Sequence, residues 1–373
     1  MRLPLTLSLY IGRQFLIGIT LAFLGMLTIV ALGDLVELIR RTADVGTAGH
    51  GDVPLTVVIE MLLLKTPYSG IRILPFAVLV GGMVALTRLT RTHELVVARA
   101  AGVSVWQFLM PAIILVLCIG VFFVTVFNPV SAALLSRFEQ VEAKVITGKT
   151  SLLSVSSSGL WIRQMERDSG EVKEHVFHAL RIEQKTMTLW GVIVFNFGDN
   201  NKFIGRIDAA SASLEEKHWH LHDVTITKPG QMPATQSDLI LNTDLTVAQI
   251  QDSFASPMTL SFWQLPAFIH TLEKAGFSAL RHRMYWHGTL ASPFLLCAMI
   301  FVAAVFSLRL PRRGGVVTLI VAGVVTGFMV HFLTNLIYAF GQSGEMPVAL
   351  AAWAPAMITL MVSGGMLLHL EDG

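Results

Sequence analysis

Cysteine and charge are both scarce in this chain of 373 residues. Its two cysteines, Cys118 and Cys297, lie in apolar runs, so they predict neither a disulfide framework nor a metal site with cysteine spacing. Charged residues make up 14% of the chain, against roughly a quarter in an ordinary soluble domain. The net charge of +2 argues against a nucleic-acid-binding protein. The chain is 53% hydrophobic, which indicates a membrane protein.

The few charges are concentrated in one central stretch. Residues from Arg137 to Arg283 hold 15 of the 27 lysines and arginines and 16 of the 25 acidic residues. The flanking parts contain apolar runs long enough to cross a bilayer of about 30 Å. We therefore predict a membrane all-α protein with an inserted antiparallel β domain. Transmembrane helices 1–3 are expected in residues 1–136, the β domain in 137–277, and transmembrane helices 4–6 in 278–373.

The six spans are expected at about residues 10–39, 69–89, 105–130, 284–308, 314–340 and 347–368. A separate interfacial helix is predicted before Pro67, because proline usually ends a helix. The first apolar run is too long for a cleavable signal peptide and continues without a small-residue cleavage site.

Basic residues predict the orientation. With a cytoplasmic N-terminus, three basic clusters fall inside the cell, as the positive-inside rule requires. They are Arg2 with Arg13, then Arg88, Arg91 and Arg99, and then Arg309, Arg312 and Arg313. The short loop 342–346 falls outside and has no lysine or arginine. Six spans return the C-terminus to the cytoplasm. The β domain between spans 3 and 4 is then expected outside, which in a double-membraned bacterium would be the periplasm.

The loop between spans 2 and 3 carries a helix signal of its own. Thr92 is expected to be the N-cap, Glu94 falls in the first turn, Arg99 lies near the last turn, and Gly102 takes the stop position. This pattern predicts a helix of about nine residues within 92–102. Another protein could push on such a helix, with Arg88 and Arg91 just before it. Alternatively, it is an amphipathic interfacial helix that only anchors the spans.

Charged residues also mark the outer end of span 1. Arg40 and Arg41 break the positive-inside pattern, and they either snorkel to the headgroups or bind an anionic group of a membrane ligand. Asp34 and Glu37 lie one to two turns deeper. An acid facing lipid costs roughly 2.5–3.5 kcal/mol, so we expect both to pair with these arginines, Glu37 with Arg40 or Arg41.

Short alternating runs predict strands in the central domain, at residues 160–162, 176–180, 188–197 and 219–227. Turn residues such as Gly, Asp, Asn and Pro separate them. The spacing favours a small antiparallel sandwich or open barrel, whose two facing sheets could enclose an apolar chain. Residues 266–275 are predicted to form a short helix leading to span 4.

The alternating histidines His218, His220 and His222 would share one face of a strand. They are either metal ligands or part of an exposed polar face, and no further Cys or His cluster supports a metal. His331 and Asn335, one turn apart in span 5, fit interhelical hydrogen bonding better than a proton relay.

A nucleotide site and an enzymatic site are both disfavoured. Ala143–Thr150 nearly matches the phosphate-binding loop, but it lacks that loop's first glycine and preceding strand. No nucleophile–base constellation is recognisable in the sequence, so no catalytic residue is predicted.

Several strings resemble one known family. They are Tyr10–Arg13 (YIGR) opening span 1, Glu94–Val97 (ELVV) in the loop helix, and Ser151–Ser154 (SLLS) followed by Gly159–Trp161 (GLW). With this order of three spans, β domain and three spans, the chain resembles the LptF/LptG permeases of the lipopolysaccharide-export ABC transporter. The resemblance is to the LptG-type subunit, with the paralogous LptF type as the alternative. It implies a β-jellyroll-like periplasmic domain.

The resemblance also implies partners. An LptB-type ATPase dimer would bind on the cytoplasmic side, so ATP and Mg²⁺ would belong to that partner and no cofactor to this chain. Residues 92–102 would be the coupling helix, with Glu94 meeting basic residues of the ATPase and Arg88, Arg91 and Arg99 complementing acidic ones. The other expected partners are an LptF-type permease, the bitopic LptC-type subunit and the LptA-type bridge. Spans 1 and 5 would flank the lateral gate for lipopolysaccharide.

The family's ligand contacts carry over by position. Arg40 and Arg41 match a basic pair expected to bind lipopolysaccharide, with Asp34, Glu37 and Arg137 beside it. Asp34 departs from the family pattern, which has lysine there. The other hypothesis is a membrane-anchored enzyme or envelope scaffold acting through its periplasmic domain. A secondary transporter is disfavoured, because intramembrane ionisable residues are few and no inverted repeat is visible.

Overall fold

The computed structural model describes residues 5–45, 53–147, 153–156, 159–168, 171–183, 188–198, 202–215, 218–243, 256–274, 278–308 and 316–372. The chain divides into two compact units. The helical unit comprises residues 1–148, 258–263 and 283–373, and the β unit comprises residues 149–257 and 264–282. Residues 137–147, which were assigned to the β domain from the sequence, continue a helix of the helical unit.

Nine α-helices are described along the chain: α1 (Leu5–Val45), α2 (Leu55–Arg91), α3 (Glu94–Ala100), α4 (Val105–Phe122), α5 (Asn128–Glu142), α6 (Leu265–Lys274), α7 (Leu280–Ser307), α8 (Val316–Ser343) and α9 (Val348–Asp372). A π-helical turn, Phe123–Phe127, joins α4 to α5, and these form one long segment. Within the described residues, six helical segments are long and apolar enough to cross a membrane. The predicted class, six spans with an inserted antiparallel β unit, is confirmed.

The prediction of a separate interfacial helix before Pro67 is wrong, because α2 continues through both Pro67 and Pro75. A proline inside a helix removes one backbone donor, and neighbouring helices can compensate for that loss in a membrane protein. Here α2 lies close against α1. A Cβ added to Gly18 would stand 2.7 Å from the carbonyl oxygen of Gly81. Tertiary packing therefore outweighs the local proline signal.

The core of the helical unit joins α1, α2, α4 and α7. Among its buried side chains are Phe15, Leu79, Met83, Leu109 and Ile300. In contrast, α1 and α8 expose long apolar faces, which include Leu21, Ile29, Leu32, Phe328, Phe332 and Leu336. Such faces are expected against lipid or another membrane chain.

The polar residues of span 5 are arranged differently from the prediction. His331 and Asn335 lie 3.1 Å apart within α8 itself. Their hydrogen bond is therefore intrahelical. The prediction was that these two residues would bond to another helix, and the bond described between them does not do so. The ring of His331 instead packs edge-on against Phe76 of α2, with ring centroids 5.3 Å apart.

The β unit is one antiparallel sheet whose seven described strands follow sequence order. The strands are β1 (Leu153–Ser156), β2 (Gly159–Asp168), β3 (Glu171–Glu183), β4 (Thr188–Gly198), β5 (Lys202–Glu215), β6 (His218–Thr227) and β7 (Ala234–Asn242). The four predicted runs lie in β2, β3, β4 and β6, whereas β1, β5 and β7 were not predicted. Helix α6 matches the short helix expected at 266–275.

The sheet bends along one row of residues that crosses β4, β5 and β6. Alternation of buried and exposed side chains slips by one position in each strand at this row. Gly191 and Asp223 both flank Ala210 and have φ of 62° and 53°. A left-handed residue inside a strand changes its direction, and for aspartate this conformation is strained. The bend brings the inner faces on its two sides towards each other.

Hydrogen bonds across the interior of the sheet follow from this bend. Gln164 of β2 and Trp219 of β6 are both buried, although three strands separate them. The Trp219 indole donates to Gln164 Oε1 at 3.3 Å, and the Thr243 hydroxyl donates to the same oxygen at 2.8 Å. The buried polar atoms thereby find partners and hold the curled sheet.

The outer face carries the alternating histidines. His220 and His222 lie on β6 opposite the buried Trp219 and Leu221. His222 Nδ1 lies 2.6 Å from Asp238 Oδ1 on β7, and the hydrogen bond from His222 lowers the pKa of the Asp238 carboxyl.

Candidate functional site

The helix between the second and third spans begins differently from the prediction. Thr92 is not its N-cap, because α2 extends to Arg91 and Thr92 ends it, with its amide donating to the Arg88 carbonyl at 3.0 Å. His93 then turns the chain at φ 60° and precedes α3 without a side-chain cap. As a result α3 has seven residues, Glu94–Ala100, instead of about nine.

The end of α3 matches the prediction at Gly102. This glycine has φ 83°, its amide donates to the Arg99 carbonyl at 2.9 Å, and the Val103 amide donates to the Ala98 carbonyl at 3.1 Å. These two bonds form a Schellman motif, in which a left-handed residue is needed and glycine is favoured. The short helix therefore has a fixed end and a fixed exit direction.

Glu94 connects α3 to α1 and to the residue that follows the end of α2. The hydroxyl of Tyr10, near the start of α1, donates to Glu94 Oε1 at 3.2 Å. The hydroxyl of Thr92 donates to the same oxygen at 2.9 Å. Both described hydrogen bonds meet one carboxylate oxygen, so Oε2 can accept a bond from another chain. The carboxylate is thus oriented on α3 and tied to α1.

The rest of α3 presents a mixed surface. Leu95 is buried in the helical core, whereas Val96 and Val97 are 45% and 67% exposed. Arg99 is exposed on α3, and the predicted neighbours Arg88 and Arg91 are exposed in the last turn of α2. A small apolar patch with arginines and one oriented carboxylate has the composition of a protein-docking surface.

At the other end of α1, the predicted pairing of Glu37 with one of the two arginines is found with Arg41. Arg41 Nε donates to Glu37 Oε1 at 2.7 Å, and Arg41 Nη1 donates to Glu142 Oε1 at 3.2 Å. Glu142 closes α5, so Arg41 bridges α1 and α5. The three paired side chains are themselves partly exposed, and exposed ion pairs contribute little to stability.

The sequence suggested that Asp34 pairs with those arginines, but in the structure its partners are Lys65 and Ser69 of α2. Lys65 Nζ of α2 lies 2.7 Å from Asp34 Oδ1, and the Ser69 hydroxyl donates to Oδ2 at 2.8 Å. Lys65 also lies 5.9 Å from the centroid of the Phe138 ring. The long side chain of Lys65 reaches the acid across the α1–α2 contact, so Asp34 is enclosed between helices.

Arg40 and Arg137 have different surroundings from Arg41. Both are exposed. In the part of the chain that the structure describes, neither makes a hydrogen bond or an ion pair. Their guanidinium groups are therefore available to an anion, with five donors each in a planar arrangement suited to phosphate or carboxylate.

The two groups of residues lie at opposite ends of α1. Tyr10 and Arg40 belong to the same helix, and their separation along its axis is about 45 Å at about 1.5 Å per residue. This exceeds the hydrocarbon thickness of about 30 Å. One helix therefore reaches from the α3 surface to the charged residues around Arg40, called the Arg40 cluster below.

The sequence analysis missed three residues that contact predicted site residues: Tyr10, Lys65 and Glu142. Their partners lie 84, 31 and 101 residues away in the chain. No local motif reports such contacts, because they depend on which helices pack together.

Six span-length helices, an inserted antiparallel sheet and a short charged helix between spans 2 and 3 define a polytopic membrane protein with an inserted β unit. Residues 9–369 match the family described as "Lipopolysaccharide export system permease LptF/LptG". The chain belongs to this family, and it is a multi-pass inner-membrane permease of lipopolysaccharide export that works with other components of the Lpt system.

Two relatives illustrate the similarity. The chain is 22% identical to the lipopolysaccharide export system permease protein LptG of Haemophilus influenzae, over 98% of this chain and 99% of that protein. It is 23% identical to the protein of the same name from Escherichia coli K12, over 97% of this chain and 98% of that protein. The similarity thus extends over both units and all six spans.

Proposed function

We propose that this chain is the LptG-type permease subunit of an ATP-driven lipopolysaccharide exporter, with both termini in the cytoplasm and the β unit in the periplasm. Family membership and the LptG names of its relatives support the assignment. The basic residues on the α3 side support the orientation. The LptF-type subunit is the alternative, and co-purification distinguishes the two, since an LptG-type chain should pair with an LptF-type partner.

In this proposal α3 is the coupling helix for an LptB-type ATPase dimer, which holds ATP and Mg²⁺. This chain has no ATPase site of its own. Glu94 meets a basic residue of the ATPase through its second oxygen, and Arg88, Arg91 and Arg99 complement acidic residues. The carrying observation is the hydrogen bond from Tyr10 to Glu94, because it joins the coupling helix directly to α1.

Movement of α3 would then reach the far end of α1. There, Arg40 and Arg137 contact the anionic groups of lipopolysaccharide. Arg41, Glu37 and Asp34 act as positioning residues, since each is engaged by a neighbouring helix or turn. Lipopolysaccharide enters from the outer leaflet of the inner membrane.

The lateral gate lies at α1 and α8, transmembrane helices 1 and 5, whose apolar faces are exposed. The LptF-type permease provides the opposing gate helices. The periplasmic β-jellyroll bridge of LptC-type and LptA-type subunits receives the lipid from the β unit.

The test is ATP hydrolysis by the assembled transporter in vesicles containing lipopolysaccharide. Glu94→Ala should abolish lipid-stimulated hydrolysis while leaving membrane insertion intact, because the oriented carboxylate is lost. The matched control is Glu345→Ala, which removes an exposed acid from the turn between α8 and α9. Normal stimulated hydrolysis in the Glu94→Ala transporter would contradict the coupling role.

A further inference from the structure

A cluster of metal-ligating groups lies on the outer face of the β unit, and none of its residues has a role in the site described above. It consists of His220 and His222 on β6 and Asp238 on β7. One ligand atom from each residue can be chosen so that all three lie within 4.8 Å of one another. Both histidines are half-buried and Asp238 is exposed.

The sheet itself fixes this geometry. His220 and His222 share a face because they are two residues apart on one strand. His222 and Asp238 are directly paired in the β6–β7 register, and their side chains are already 2.6 Å apart. The imidazole rings of the two histidines stand edge to face, with centroids 4.8 Å apart. An ion could therefore bind without rearrangement of a loop.

The chemistry of the three donor atoms limits which metal ion this cluster can bind. Two imidazole nitrogens and one carboxylate oxygen suit a borderline divalent transition metal, and Zn²⁺ commonly takes three such protein ligands with water in the fourth position. A hard cation such as Mg²⁺ or Ca²⁺ would need mostly oxygen ligands.

We propose that His220, His222 and Asp238 bind a divalent transition metal ion of the Zn²⁺ class on the outer face of the β unit. This site is additional to the proposed export function and independent of the α3 surface and the Arg40 cluster. The histidine pattern was visible in the sequence, but the third ligand was not, because it lies in β7, a strand that the sequence did not predict.

The test is a Zn²⁺ titration of the full-length chain, purified in detergent without a polyhistidine tag, against a fluorescent zinc chelator. We expect one ion to be bound per chain at this site. His220→Gln and Asp238→Asn should each weaken binding by at least about tenfold, since even the loss of a group that only supports a ligand costs roughly 10–100-fold. The matched control is His218→Gln, which removes an exposed histidine from the same strand outside the cluster.

A second measurement guards against misfolded variants. Zn²⁺ should raise the unfolding temperature of the wild-type chain and of His218→Gln, but not that of Asp238→Asn. Asp238 is exposed and the substitution is nearly isosteric, so this variant should retain its fold without metal. If both ligand variants bind Zn²⁺ as tightly as the wild-type chain, or if only His218→Gln loses binding, the proposed site is wrong.

Discussion

Two adjacent arginines at the end of α1 have different surroundings, although the sequence presents them as one pair. Both are exposed, but Arg41 bonds Glu37 and Glu142, whereas Arg40 makes no hydrogen bond or ion pair with the described residues. An arginine that already binds two carboxylates is a poorer site for an anionic headgroup, because the new anion must compete with them. The proposed ligand contact is therefore assigned to Arg40, and Arg41 orients the end of the helix.

This assignment predicts unequal effects of two substitutions on lipopolysaccharide binding by the purified chain. Arg40→Ala should weaken binding about tenfold, which corresponds to about 1.4 kcal/mol. Arg41→Ala should have a smaller direct effect and should lower the unfolding temperature slightly, because the link from α1 to α5 is lost. Arg13→Ala, an exposed arginine near the other end of α1, is the control. Equal losses for Arg40→Ala and Arg13→Ala would argue against a specific contact.

The enclosed acid Asp34 leads to a prediction about stability. Removing one partner of a fully buried ion pair costs roughly 3–5 kcal/mol. Here the side chains of Asp34 and Lys65 are 17% and 27% exposed, so we expect Asp34→Ala to cost about 1–3 kcal/mol. The measurement is thermal unfolding of the chain in detergent.

Two further variants separate the charge from the hydrogen bonds at Asp34. Asp34→Asn retains a partner for Ser69 and should cost less than Asp34→Ala. Adding Lys65→Met to Asp34→Ala should recover part of the loss, because the unpaired ammonium is removed. If Asp34→Ala alone left the unfolding temperature unchanged, the pair would not stabilise the α1–α2 contact.

At the scale of whole helices, glycine at position 81 allows the backbones of α1 and α2 to approach closely. A Cβ on Gly81 would lie 2.6 Å from the Ile19 nitrogen and 2.7 Å from the Gly18 carbonyl carbon. Gly81→Ala must therefore push α1 away from α2, and overpacking of this kind costs roughly 1–3 kcal/mol. We expect a lower unfolding temperature for the chain in detergent.

Gly12→Ala on α1 is the matched control for this prediction. A Cβ at Gly12 would meet nothing within 4 Å, so alanine there should be neutral or slightly stabilising through its higher helix propensity. A Gly81→Ala chain as stable as Gly12→Ala would show that the helices can separate at no cost, contrary to the close contact described.

Elements with strong periodic signals were predicted from the sequence, and elements governed by packing were not. Long apolar runs located all six spans, and alternation located four strands. Pro67 produced a false break in α2, because packing against α1 outweighs a local signal. In β5, the run from Ala209 to Ser213 consists of small residues and the alternation slips at the bend, so no strand pattern was visible.

The sequence allowed local contacts of the candidate site to be predicted, such as Glu37 with Arg41, but not the contacts between helices. From the sequence, Glu94 was a candidate as the acid in the first turn of the loop helix, and Arg40 and Arg41 were candidates as basic residues at the outer end of span 1; their roles stay predictions. It misassigned the cap of α3, because it did not anticipate that α2 would extend to Arg91 and leave His93 as the turning residue. It also could not join Tyr10 to Glu94 or Lys65 to Asp34, since both contacts depend on helix packing.

At the scale of the whole molecule, the proposal depends on which side of the membrane each charged group occupies. Helix α1 is long enough to place Tyr10 and Arg40 on opposite faces. The exposed apolar surfaces of α1 and α8 are consistent with a membrane around them. If α3 faces the cytoplasm, a cytosolic motor can reach it, and the six spans then require the β unit to be on the other side.

Cysteine labelling of the full chain tests this orientation. With Cys118 and Cys297 replaced by alanine, single cysteines are introduced as Val97→Cys on α3 and Met232→Cys in the β6–β7 turn, where Met232 is 93% exposed. A membrane-impermeant maleimide should label Met232→Cys in intact spheroplasts, but label Val97→Cys only after the membrane is permeabilised. The physical reason for this expectation is the positive-inside rule, by which arginines near α3 would hold that side in the cytoplasm during insertion. The reverse labelling would leave α3 out of reach of an ATP-hydrolysing partner, and the coupling proposal would then be wrong.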